Sequence, residues 1–381
     1  MILEVKNTKN VRDFVFFIKD LYKNDKNYIY PIFYVQKKEI FDIVVNKKSY
    51  KAILSMKDKK VVGRLLFTYD FSKKKQKKIC YYSYFDAIND QNVVYELFNY
   101  MEEDMKKNNI NYSEGTFSPF DPDTRRGIMV QGFNVDPSIF TSYNYDYYST
   151  LLEKHGYTKA IDTVLINANV NDKSRKRLNT LSKFFQRGHD VRIDSFSYKN
   201  LEKDLKDVEQ ILKLATNEVI YQDAPNMELI ADTARKMKTL LNPKFVKIAR
   251  ENKTNKPIGF CLVIPDFNQV FKKTKGRIQP LKILFYKRRI TKARGQLQYI
   301  VPEYQNSGLI GHMFKVIFDD FVEAGITDFE AGTMMEDNHK PINAFRKFGG
   351  EITKIYRLYG KEIHKWSLFY YKYRWFLLFL F

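Results

Sequence analysis

Apolar residues recur along this chain with two periods, and the same succession of periods occurs twice. In "ELFNYMEEDMKK" the residues Leu97, Met101 and Met105 stand four apart, which predicts an amphipathic helix with one buried face. A polar stop follows, then a strand closing on Glu114-Gly115-Thr116. "HMFKVIFDDFVEAGITDFEAGT" repeats the arrangement, with Phe314, Ile317 and Phe321 on the inner face, Gly325 as the helix stop and Gly332-Thr333 at the end of the strand. Ahead of each helix, "DKKVVGRLLFTYD" around Gly63 and "NKTNKPIGFCLVIPD" around Gly259 pass from a polar turn into alternation and predict the second strand of a hairpin. Behind each, "LLEKHGY" and "AFRKFGG" close a helix with a lysine and a glycine.

Four landmarks matched in order predict an internal duplication. The expected architecture is α/β (mixed α+β), with two tandem units, each a mixed, mostly antiparallel sheet flanked by helices. The boundary falls in the cation-rich "NANVNDKSRKRLNTLSKFFQRGHD". This gives a first unit at residues 1–166, a basic linker at 167–190 and a second unit at 191–381.

Composition narrows the function classes. At 381 residues, 44% hydrophobic and 16% aromatic, the chain can fill two cores, which excludes a disordered polypeptide. A net charge of +21 favours anionic partners. Part of that excess is lysine in a chain also heavy in Asn, Tyr and Ile, as AT-rich coding produces. Cys80 and Cys261 sit in strand-like apolar runs without metal-ligand spacing, so no metal is indicated and a reducing, cytoplasmic setting is expected. The charges scattered through "MILEVKNTKNVRDFVFFIKD" argue against a signal peptide, and no run reaches the roughly 18 apolar residues of a membrane span. The C-terminal "WSLFYYKYRWFLLFLF" reads either as a buried last strand or as an interfacial membrane anchor.

The mouth of the second helix carries the candidate chemistry. "YIVPEYQNSGLIGHMF" runs from a strand through a small polar turn into the helix, where free N–H groups and the positive end of the macrodipole can meet a phosphate. Pro302-Glu303-Tyr304 followed by Gln305-Asn306-Ser307-Gly308-Leu309 resembles the acyl-CoA motif of the GNAT acyltransferase superfamily. Asn338 and "AFRKFGG" resemble that superfamily's closing helix. The segments "YIYPIFYVQKKEIF", "VGRLLFTYD" and "GGEITKIYRLYGKEI" resemble a poorly characterised group of bacterial tandem GNAT-like proteins.

The resemblance implies an N-acyltransferase that takes acetyl-CoA or a longer acyl-CoA as donor and an amine as acceptor. It implies that the main chain of Ser307, Gly308, Leu309 and Gly311 holds the pyrophosphate, that Gln305 steadies the loop, and that Asn338 belongs to the same site. Ile300 and Val301 would offer main-chain partners to the pantetheine. The third small position of the motif is Ile310 here, with Gly311 one step later. The first half has "FDAINDQNVVYELF", without glycine and with Asp86 and Asp90 where an anion would sit, so the cofactor is expected in the second unit alone.

Acyl transfer needs a base for the amine and an acid or water for the leaving thiolate. Glu336 and Asp337 follow the strand that ends at Thr333 and are the base candidates. Their alternative is a solvated turn ahead of Pro341, and Glu303 is a third, solvent-facing candidate. The position of the superfamily's acidic tyrosine is Phe345, which leaves Tyr359, Tyr356, a tyrosine of the other half, or water.

The long segment from Phe117 to Tyr148 is expected to fold against the acceptor, with Arg126, Asn144, Tyr147 and Tyr148 as polar contacts, or else to join the halves. The insertion "FKKTKGRIQPLKILFYKRRITKARG" holds ten cations and no acid. It suits an anionic membrane surface, an acyl-chain entrance or a tRNA backbone. Two further readings therefore stand: a Fem-type transferase using aminoacyl-tRNA, and a non-catalytic protein holding an anion, nucleic acid or membrane. The expected location is cytoplasmic, with a peripheral membrane contact as an option.

Overall fold

Glycine recurs at equivalent strand positions because a helix passes too close for a side chain. A Cβ on Gly63 would lie 2.6 Å from Val93, and one on Gly259 would lie 3.2 Å from Met313; both partners are on the central helix of their own unit. The computed structural model describes residues 1–363 apart from 74, 122–123, 217–234 and 236–240. Pro122 and the aromatic end from Trp366 to Phe381 lie outside the described residues.

The first unit runs β1 (Ile2–Glu4), α1 (Thr8–Leu21), α2 (Phe33–Phe41), β2 (Lys51–Lys57), β3 (Lys60–Ser72), β4 (Lys77–Ala87), α3 (Gln91–Lys107), β5 (Tyr112–Gly115), β6 (Ile128–Gln131), α4 (Tyr147–Lys154) and β7 (Thr158–Asn169). Next come α5 (Asp172–Gln186), β8 (Val191–Ser195), α6 (Leu201–Thr216), β9 (Val246–Glu251) and β10 (Pro257–Pro265). The chain continues through α7 (Asn268–Thr274), α8 (Pro280–Lys287), β11 (Lys292–Ile300), α9 (Leu309–Ala324), β12 (Asp328–Met335), α10 (His339–Lys347) and β13 (Glu351–Glu362).

Among the described residues all strands join one 13-stranded sheet, ordered β1-β2-β3-β4-β5-β13-β7-β12-β11-β10-β9-β8, with β6 pairing β13. Pairing is antiparallel except for β4 with β5 and β11 with β12. These two parallel pairs are the equivalent places of the two units. The last strands are exchanged: β13 lies between β5 and β7, and β7 lies between β13 and β12. Each unit's final strand thus completes the sheet of the other.

The expected helical faces are buried. Leu97, Met101 and Met105 fill one core, while Phe314, Ile317 and Phe321 fill another with Phe329, Phe345 and Phe348. Gly325 ends α9 in the left-handed region at φ 74°. Within the segment read as a basic linker, residues 172–186 form α5, started by a reciprocal Asn171–Ser174 capping box. It packs on α9, where Ser182 Oγ and His312 Nδ1 lie 2.8 Å apart in a buried contact. The basic insertion forms α7 and α8 between β10 and β11.

Candidate functional site

Parallel pairing of β11 with β12 covers Lys292 to Gly295 against Asp328 to Ala331 and then stops. Beyond it β11 stays with β10 through Ile300, and β12 stays with β7 through Met335. The strands therefore part in a V, and residues 295–300 and 332–335 along its two arms are all half-buried. Among the described residues the facing main-chain edge of β11 pairs with no strand there, while Gln296 and Tyr299 on this arm have interactions of their own.

The helix α9 starts at the same end. Gly308 is its N-cap at φ 98°, a conformation that glycine adopts without strain, and the N-cap residue itself has no side chain to cap the helix. Ser307 N–H donates to Tyr304 O, Leu309 N–H to Ser307 Oγ and Gly311 N–H to Gly308 O. Of the five amides from Ser307 to Gly311, those of Gly308 and Ile310 have no acceptor among the described residues. The expected set of main-chain donors is accordingly reduced: Ser307, Leu309 and Gly311 are spent on the turn itself. Val301 is also committed, since its N–H donates to Ile258 O at 3.0 Å and its side chain is buried. Ile300 lies on the V. Gln305 is steadied by Lys340 Nζ at 3.1 Å, and Asn338 is exposed at the start of α10. Phe185 of α5 stands 3.7 Å from where a Cβ on Gly308 would be, so α5 walls one side of the turn.

The base candidates separate by how they are held. Glu336 takes Lys159 Nζ at 2.8 Å on one oxygen and Asp162 N–H at 3.2 Å on the other, so it is fixed at the end of β12 against β7. Asp337 is exposed, and Glu303 forms a surface ion pair with Lys256 at 2.7 Å. Tyr359 is fully buried in the first unit's core and donates to Glu153 at 2.9 Å, which removes it from the V. Tyr356 is fully buried too, and its hydroxyl makes no hydrogen bond of good geometry; Thr141 is a polar neighbour. Burial, followed by the charge of Glu330, pushes its pKa up, so it keeps its proton at neutral pH. Phe345 is packed among Phe314, Phe329 and Phe348.

Sequence reasoning missed the buried charges at the fork of the V. Arg294 and Glu330 face each other in register where the parallel pairing ends, and Lys354 Nζ reaches Glu330 at 2.6 Å. Ser138 also donates to Glu330, while Arg294 donates to Gly332 O at 3.0 Å and to Ile139 O. Burial pushes the Glu330 carboxyl up, but Lys354, Ser138 and Arg294 outweigh it and hold it below the usual range. Asp266 accepts from Ile139 N–H at 2.8 Å, and burial raises its pKa to about 6. The sequence carries no distinct signal for them, since β11, β12 and β13 hold other charged residues, among them Lys292, Asp328 and Arg357.

The four acceptor candidates are differently placed. Asn144 is buried and bonds both the N–H and the O of Met129, as a missing strand would. Tyr148 is fully buried in a cluster with Tyr22 and Asp86. Tyr147 donates to Ala87 O at 2.8 Å, and Arg126 lies over the Phe117 ring. These four do not converge on the V. What reaches it is the stretch 136–141, tied to α7 by Asp136–Lys272 at 2.6 Å and by Asn268 to Pro137 O at 2.8 Å. The long segment therefore joins the halves and also backs the fork.

The equivalent place in the first unit is shut. Ser83, Phe85, Asp86 and Ala87 on β4, and Thr116 and Ser118 after β5, are all buried. Asp90 caps α3 by accepting from Asn92 N–H at 3.0 Å. Asp86 does not stand open to repel an anion as expected; Arg64 neutralises it at 2.6 Å inside the core. The first unit excludes an anion by packing and by a cap of its own.

No protein-family model matches the chain. It is 23% identical to Protein YghO of Escherichia coli (strain K12), covering 94% of both chains. It superimposes on a tandem GNAT protein from the clavulanic acid biosynthesis pathway with a TM-score of 0.55 at 11% identity, over 96% of this chain and 99% of that one. A GCN5-related N-acetyltransferase from Sphaerobacter thermophilus gives 0.52 at 9% identity, over 96% of each chain. The GCN5-related glucosamine N-acetyltransferase region of a fungal multi-domain β-N-acetylglucosaminidase gives 0.56 at 11% identity; 94% of this chain spans 38% of that protein. At these identities the likeness is one of fold.

Proposed function

We propose that this chain, which has the tandem GNAT fold, is an N-acyltransferase that uses an acyl-CoA thioester as donor, bound by the second unit alone. The observation that carries the reading is the asymmetry of two equivalent places. In the second unit β11 and β12 part beside a glycine helix start where the Gly308 and Ile310 amides have no acceptor among the described residues, and in the first the same place is packed and capped by Asp90. An extended thioester arm needs an unpaired strand edge, and a pyrophosphate needs uncommitted N–H groups at the positive end of a helix. Gly308 and Ile310 supply two such groups, a sparse set for a dianion.

In this reading Glu336 takes the proton of the incoming ammonium, directly or through water, and the freed amine attacks the thioester carbonyl. The nitrogen then loses its second proton to water as the C–S bond breaks and the amide forms, and the leaving thiolate takes a proton from Tyr356 or from water. Tyr359 is replaced in the acid role because its hydroxyl belongs to the other unit's core. The acceptor is an amine, and nothing in the arrangement selects its class.

The direct test is thermal unfolding with acetyl-CoA, longer acyl-CoAs and free coenzyme A. A ligand of the native state at about 100 times its Kd stabilises by about 2.7 kcal/mol. No shift with any thioester or with coenzyme A, together with salt-sensitive tRNA binding, would move the chain to the aminoacyl-tRNA reading.

A further inference from the structure

Six exposed cations surround four exposed apolar side chains on the insertion between β10 and β11. Ile278, Leu281, Leu284 and Phe285 are 53, 84, 61 and 52% exposed, on the outer side of α8 and the turn before it. The spacing of Leu281, Leu284 and Phe285 puts them on one helical face, while Ile283 and Tyr286 hold α8 to the body of the second unit. Lys273, Lys275, Arg277, Lys282, Arg288 and Arg289 are exposed around them. None of these six has an ion-pair partner among the described residues; Arg289 instead lies over the Phe285 ring at 4.2 Å. The turn between α7 and α8 also abuts the first unit, where Phe33 N–H donates to Gly276 O at 3.2 Å, and Tyr34, next in the chain, is exposed. Isolated surface leucines need no explanation, but a cluster ringed by unpaired charge of one sign does.

We propose that α8 and its flanking turn dock the protein on an anionic lipid bilayer, with Leu281, Leu284 and Phe285 entering the headgroup–acyl boundary and the ring of cations meeting lipid phosphates. The two signals have the complementarity that reversible interfacial binding takes: an apolar face for the acyl boundary and a basic rim for negative headgroups. A polyanion such as RNA would use the cations and leave the apolar face in water, so the leucines distinguish the two partners. The inference stands apart from acyl transfer and does not require it.

The test is co-sedimentation of the full chain with large unilamellar vesicles of phosphatidylcholine, alone or with about 30% phosphatidylglycerol. Binding is expected to the anionic vesicles only, and to fall as salt rises from about 0.1 to 0.5 M. The variant L281S/L284S/F285S, whose three positions lie on the surface, is expected to keep its melting temperature and lose roughly tenfold or more of vesicle affinity. K282E/R288E is expected to lose binding at low salt. Full binding by the triple variant would assign any membrane affinity to another part of the chain and overturn the proposal. So would a wild-type preference for RNA over vesicles that the triple variant retains.

Discussion

Asp266 shows how much one buried carboxylate can say about pH. Its pKa is about 6 in the folded chain against an ordinary 3.8, chiefly because burial disfavours its charge. Between those values only the folded form holds the proton, so stability falls as pH rises from about 4 to about 6 and stays lower above that. The difference corresponds to up to about 3 kcal/mol. Asp266→Asn keeps an acceptor for Ile139 and removes the charge. It is expected to raise the melting temperature at pH 7.5 and to flatten the pH dependence in that window; an unchanged slope would show that Asp266 titrates normally. Two other residues carry the proposed chemistry. Glu336→Gln is expected to lower kcat at least tenfold while the acyl-CoA thermal shift stays, because a base acts in the chemical step. Turnover within a few-fold of wild type would leave Glu336 as the residue that ties β12 to Lys159 and Asp162. Tyr356→Phe is expected to lower kcat with little change in KM, and an unaffected rate would leave the thiolate to water. At this scale the sequence was a weak guide. The tyrosines and Asn144 looked like an acceptor site because they are polar and aromatic, yet Tyr148 and Asn144 are buried and hydrogen-bonded within the first unit. Composition cannot tell a hydroxyl that bonds a neighbour from one that faces a ligand.

Whole elements were far easier to foresee. The period of Leu97, Met101 and Met105 and that of Phe314, Ile317 and Phe321 led directly to α3 and α9, since an apolar stripe has to be buried. The hairpin glycines were legible as a repeat, and their reason, the close passage of α3 and α9, lies in the packing between elements far apart in the sequence. Helix α5 was hidden because its charges dominate the apolar Leu178 and Phe185, although Asn171 and Ser174 already spelled a capping box. The start of α9 provides the prediction at this scale. Gly308→Glu puts a carboxylate at the N-cap of α9, where it competes with a bound phosphate, and is expected to abolish the acyl-CoA thermal shift. Gly308→Asn tests for strain, because asparagine tolerates the left-handed region, and it is expected to keep a measurable shift. Asn92→Ala, at the capped start of α3, is expected to change nothing in donor binding. Equal losses at residues 308 and 92 would remove the distinction between an open and a closed unit.

The molecule as a whole is tied together by an exchange that no linear reading contained. A last strand that satisfies the edge of its own unit satisfies the edge of a similar unit equally well, so periodicity identifies β7 and β13 as strands without saying whose sheet each joins. In the structure β13 pairs with β5 and β6 of the first unit as well as with β7, and β7 pairs with β12 of the second. Tyr359 and Ile363, from the far end of the chain, lie in the same core as Leu97 and Met101. The two units therefore share strands and a core, and are expected to unfold together. Removing β13 would strip the first unit of a central strand and expose the edges of β5 and β7, which invites aggregation. A fragment of residues 1–169 and one of residues 170–381 are accordingly expected to be insoluble or unfolded when made alone and to recover a folded complex when made together. The intact chain is expected to unfold in a single thermal transition whichever unit the probe reports. Tyr359→Ala should destabilise by about 3–5 kcal/mol, the cost of emptying a large aromatic site in a core. Its effect should appear at probes in the first unit, although the residue belongs to the last strand of the second. A soluble 1–169 fragment with its own cooperative transition would mean that the first unit does not need the exchanged strand.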